Sequence, residues 1–71
     1  MNYQAIEQQT NVMRVTSRRM DQLIQSIRTI TGLEGKAYCD EYDRLNALLL
    51  SADAENRAAF QTRETLLGTN Y

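Results

Sequence analysis

The sequence predicts an all-α fold, an antiparallel two-helix hairpin that assembles into a four-helix bundle. Three observations lead there. Proline is absent and glycine occurs only three times in 71 residues, so the chain lacks the turn punctuation that a sandwich or barrel of short strands needs. Apolar residues recur at seven-residue spacing through two long stretches, which is helical periodicity. Two of the three glycines fall between those stretches, in Gly32-Leu33-Glu34-Gly35, where the chain can reverse.

The first helix is predicted over residues 3–30. Ile6, Met13, Met20 and Ile27 sit seven apart, with Ile24 close to their line and a second line of Ala5, Val12, Leu23 and Ile30 beside it. The resulting apolar face is wider than one neighbouring helix covers. Opposite it lie Glu7, Arg14, Arg18, Arg19, Asp21 and Arg28 among several glutamines, a solvated face.

The turn is predicted at residues 31–35. Gly32 is available for a left-handed cap, and Thr31-x-x-Glu34 matches a capping box for the helix that follows. Gly35 is expected to allow close approach of the helices, with Leu33 packing over the hairpin end.

The second helix is predicted over residues 36–67, ending at Gly68. Tyr38, Leu45, Ala52, Ala59 and Leu66 keep the seven-residue spacing, joined by Tyr42, Leu49, Phe60 and Leu67. Asp40, Glu41 and Asp43 near its start and Arg57 and Arg63 near its end would complement a helix dipole. At about 1.5 Å per residue the two helices match in length, roughly 42 and 48 Å.

Composition narrows the function. With no His and a single Cys, zinc sites and Ser/His or Cys/His chemistry have no members, so the protein is expected to be neither an enzyme nor a cofactor carrier. The net charge of −1 gives no field for nucleic acid, and the Arg14, Arg18, Arg19 patch reads as solvated charge. The acidic Asp40, Glu41 and Asp43 lack the oxygen-rich loop of a calcium site. Cys39 falls off the apolar stripe and reads as an inert, partly exposed residue. No run of about 18 apolar residues could span a membrane, and residues 1–7 lack a basic cluster followed by an apolar stretch. Any export is then expected by a non-Sec route.

What remains is a surplus of apolar surface. Small scaffolds without disulfide or metal commonly oligomerise, and two hairpins forming a four-helix bundle is the simplest solution. The interface residues predicted are Met13, Met20, Leu23, Ile24 and Ile27 from the first helix and Leu45, Leu48, Leu49 and Phe60 from the second. The partner is expected to be a second copy or another helical hairpin.

The segment Leu33-Glu34-Gly35-Lys36-Ala37-Tyr38, at the reversal of such a hairpin, resembles the Trp-x-Gly (WXG) family of small proteins exported by type VII secretion systems. Leu33 and Gly35 stand where that family has Trp and Gly, and Leu-x-Gly followed by Lys-Ala-Tyr is similar to the LXG branch, the helical N-terminal targeting domains of secreted bacterial toxins. The likeness covers about six residues in motif and the whole hairpin in pattern. It implies a secreted homodimer or heterodimer, or a targeting partner or chaperone of an LXG toxin that is cytoplasmic before export. The family's export signal, Tyr-x-x-x-Asp/Glu after the second helix, has no match here. Tyr3-Gln4-Ala5-Ile6-Glu7 has its spacing at the other end, so the resemblance implies a partner that supplies the signal or a chain that continues. A cytoplasmic hairpin-dimer regulator binding RNA or protein is the alternative from composition and pattern alone.

Overall fold

The computed structural model describes residues 2–68. Among them the chain forms two long helices packed side by side, with no strand, in a rod of 55 × 13 × 12 Å. Helix α1 spans Tyr3–Thr29 and helix α2 spans Gly35–Gly68, joined by a 3-10 turn at Ile30–Gly32 and two extended residues. The hairpin expected from the heptads is present. The expected stop after Gly68 involves residues 69–71, which lie outside the described residues.

Asn2 starts α1. Its side-chain Oδ1 accepts from the Ala5 N–H at 3.1 Å, satisfying a donor that a helix start leaves orphaned, and its carbonyl accepts the first intrahelical bond from the Ile6 N–H at 3.1 Å. At the other end the helix tightens into the 3-10 turn, where the Leu33 N–H donates to the Ile30 carbonyl at 2.9 Å.

The reversal differs from expectation in three ways. Gly35, not Gly32, takes the left-handed conformation, at φ 60°. The 3-10 bond already satisfies a terminal carbonyl at negative φ, so Gly32 has no cap to make. The second difference concerns space, because a Cβ on Gly35 would meet nothing within 4 Å. Its role is therefore backbone conformation and not close approach. Leu33 leaves 42% of its surface exposed at the hairpin end. Third, α2 begins four residues after Thr31, too late for the capping box, and the Thr31 hydroxyl turns back toward the Arg28 carbonyl at 3.5 Å.

The expected dipole pairing of charges is also replaced by a local one. The first turn of α2 holds no acid and the last no base, and dipole effects fade within one turn. Instead the charges pair along the helix: Lys36 with Asp40 at 2.8 Å, Glu41 with Arg44, and Asp53 with Arg57 at 3.1 Å. Tyr38 and Tyr42 stack one turn apart, with centroids 6.2 Å apart.

The core is a seam. Leu45, Ala52 and Ala59, the heptad line read from the sequence, are buried at 4%, 1% and 3% exposure. On α1 the predicted line of Ile6, Met13, Met20 and Ile27 is half-buried. The deeply buried positions on this side are Thr16 in α1 and Ile30 in the 3-10 turn that follows it. They belong to a line of Gln9, Thr16, Leu23 and Ile30, also seven apart, which completes a heptad with the first. Its two polar members hid it from an apolar count.

Candidate interaction surface

The half of the seam away from the turn is held by polar contacts. Thr16, with 2% exposure, tucks its hydroxyl between the carbonyls of Val12 and Met13 at 2.7 and 3.2 Å, so its burial leaves no donor unsatisfied. From α2, Asn56 Nδ2 donates toward Thr16 Oγ1 at 2.9 Å, the Met13 carbonyl at 3.0 Å and Ser17 Oγ at 3.2 Å. Farther out, Arg63 Nε donates to Thr10 Oγ1 at 3.0 Å, while the Thr10 hydroxyl itself bonds the Ile6 carbonyl. A polar residue at a heptad core position fixes register, and Asn56 has this placement.

On the opposite flank of the seam an open groove of 270 Å³ is lined by Asn11, Val12, Val15, Thr16, Arg19 and Glu55. Arg19 Nη1 and Glu55 Oε2 bridge it at 3.8 Å, with both side chains 54% exposed. A pair so open to water adds little to the hairpin itself.

The predicted interface residues separate into two groups. Leu45 is buried within the hairpin, and Met13, Met20, Leu23, Ile27 and Leu49 are half-buried along the seam. Leu45 is thus a core residue of the hairpin with little surface left to offer a partner. Ile24, Leu48 and Phe60 remain exposed at 38%, 44% and 49%. Sequence reasoning missed Val15, which is 52% exposed; Leu50, which it placed with Leu48 and Leu49 as surplus surface of the second helix, is 61% exposed. Val15 lies three residues beyond Val12, one step off the heptad seam, and that adjacency was its only signal.

Electrostatically the surface is plain. Arg44 lowers the Glu41 carboxyl pKa chiefly by its hydrogen bond, which outweighs the opposing desolvation, and its charge adds a smaller lowering. Cys39 is exposed and unpaired. Among the described residues no group of three or more His, Cys, Asp or Glu is placed to hold a metal ion, and no helix is long and apolar enough to cross a membrane. Compared with family models, with curated proteins and with solved structures, the chain matches none. The type VII resemblance therefore rests on Leu33, Gly35 and the residues around them.

Proposed function

We propose that the protein is an interaction hairpin whose working form is a four-helix bundle completed by another helical hairpin. One observation carries the reading. Only Ile30, Leu45, Ala52 and Ala59 are buried among the described hydrophobic residues, whereas nine large hydrophobic side chains, Val12, Val15, Leu48 and Leu50 among them, stand exposed. Scattered apolar residues are ordinary on a surface, but here they outnumber the core. A second hairpin would bury those on the face it covers at little cost, since both chains are already helical.

The Leu33-x-Gly35 resemblance supplies the setting: service to type VII secretion, as an exported dimer or as the targeting partner of an LXG toxin. The test is co-expression with an LXG targeting domain encoded by the same organism, followed by co-purification and an export assay. A stable complex that Leu48→Asp disrupts, with loss of toxin export, is the expected result. No complex, together with unchanged export when the protein is deleted, overturns the secretion role.

A further inference from the structure

We infer that the groove between Val12, Val15 and Glu55 seats a second copy of this chain, docked about a two-fold axis that leaves both turns at the same end. The inference rests on the hairpin-pairing reading and adds to it the face, the occupant and the direction.

Area favours a partner of this size. A compact monomer of 8.2 kDa would expose about 4,500 Å², whereas the hairpin exposes 5347 Å², an excess of about 800 Å². About 800 Å² is also what each partner buries in a stable interface of standard size. On the groove flank Val12 and Val15 stand exposed side by side, three residues apart on α1. On the other flank Phe60 is level with Met13, as Asn56 beside Ser17 requires, and so lies about 16 Å along the axis from Ile24. Polar Ser17, Asp53 and Asn56 separate those two apolar residues.

Charge selects the occupant and the direction. An isologous interface must be self-complementary, and the groove carries one charge of each sign at the same height on its two walls. A two-fold axis along the rod lays α1 of each copy over α2 of the other and keeps every residue at its own height. Arg19 then meets Glu55 of the other copy twice over, closing a ring of alternating charge. A two-fold axis across the rod instead lays α1 on α1 with the turns at opposite ends. Arg19, near the middle of α1, then approaches Arg19 of the other copy, and like charges disfavour that arrangement.

Shape agrees with the first arrangement. The register that sets Arg19 beside Glu55 puts Val12, one heptad earlier, level with Thr62, one heptad later, and Val15 level with the buried Ala59, one residue from the exposed Ala58. Valine knobs on α1 thus face small residues on α2 of the other copy, which allows helices to approach closely.

Cys39 makes the test simple, being the only cysteine and exposed. The full-length chain is spin-labelled at Cys39, its association measured by sedimentation, and the label separation in the dimer read by double electron–electron resonance. With both turns at one end the labels are separated only by the bundle's width, about 25 Å for helices about 10 Å apart. With the turns opposed, each label lies about 19 Å from the middle of α2, and the separation is about 40 Å or more. Glu55→Arg should weaken the dimer about tenfold, by placing two pairs of like charges in the ring, and adding Arg19→Glu should restore it. Circular dichroism checks that helicity is retained.

A dimer with the short distance and charge-swap rescue supports the inference. A monomer at all concentrations, a separation near 40 Å, or a dimer indifferent to Glu55→Arg overturns it. A long separation, or a monomer that still captures a toxin hairpin, leaves the hairpin-pairing function standing.

Discussion

Replacing Asn56 with Ala removes the donor that ties the outer halves of the two helices together. Its Nδ2 has two hydrogens shared among Met13, Thr16 and Ser17, at 3.0, 2.9 and 3.2 Å, so about two hydrogen bonds are at stake. At about 1 kcal/mol net per bond, reduced by half-burial and by acceptors that keep other partners, the loss should be about 1–2 kcal/mol. The Thr16 hydroxyl still bonds the Val12 carbonyl at 2.7 Å, so no buried donor is abandoned and the cost should not be larger. For a chain this short, about 1 kcal/mol moves the midpoint by about 4–8 °C. Thermal unfolding followed by circular dichroism should therefore show a drop of about 5–15 °C, measured at one protein concentration because association shifts the midpoint. Thr16→Val, which keeps shape and removes the hydroxyl, should be coupled to Asn56→Ala in a double-mutant cycle by about 0.5–1 kcal/mol. A midpoint unchanged by Asn56→Ala, or strictly additive effects of the two substitutions, would refute the claim that this contact joins the helices.

Two further outcomes are expected. Gly35→Ala should destabilise by about 1–2 kcal/mol, because φ is 60° there, and Gly35→Leu should cost a similar amount since a Cβ meets open space; Gly35→Asn should cost less, and a leucine penalty far above that of alanine in chemical denaturation would reinstate a packing role. The lowered pKa of Glu41 contributes stability that is present above the ordinary glutamate value and lost as pH falls through the lowered one; Glu41→Gln should remove that acid-limb dependence, a small effect for so exposed a group, and an unchanged limb would show the Arg44 pair to be inert.

The helices were legible in the sequence because heptads sustained over four or five repeats leave no other regular structure to choose. The line of Leu45, Ala52 and Ala59 was legible for the same reason, and all three are buried. Thr16 was not, since an apolar count passes over a hydroxyl that hides by bonding its own helix backbone. Asn56 was invisible for a related reason: its partners are forty residues away in sequence, and only the register brings them together. At the turn, both glycines were found but the left-handed conformation falls to Gly35 instead of Gly32, because the 3-10 turn that relieves Gly32 depends on a backbone bond from Leu33 to Ile30 that side-chain identity does not encode. The groove escaped because Val15 lies off the heptad seam, where periodicity searches do not look.

The two halves of the seam are built differently, and the difference bears on assembly. Near the turn the helices are joined by large side chains, Ile30 and Leu45 buried with Leu23, Ile27 and Leu49 beside them. Away from it the fully buried apolar residues are Ala52 and Ala59, with Ile6, Met13, Leu66 and Leu67 half-buried around them, and Asn56 and Arg63 add hydrogen bonds between the helices. Each alanine buries about three fewer carbons than a leucine, at roughly 0.8 kcal/mol per CH₂, so the outer half has less hydrophobic hold at its fully buried positions. Hydrogen bonds there set the register without replacing that hold, since their net worth is near 1 kcal/mol each. The first half of α1 is accordingly the part of the hairpin that opens most readily. It is also the part that carries Val12 and Val15. A second hairpin seated on those valines covers the segment that the chain's own core holds least, so the polar contacts choose the alignment and the partner supplies the missing apolar burial.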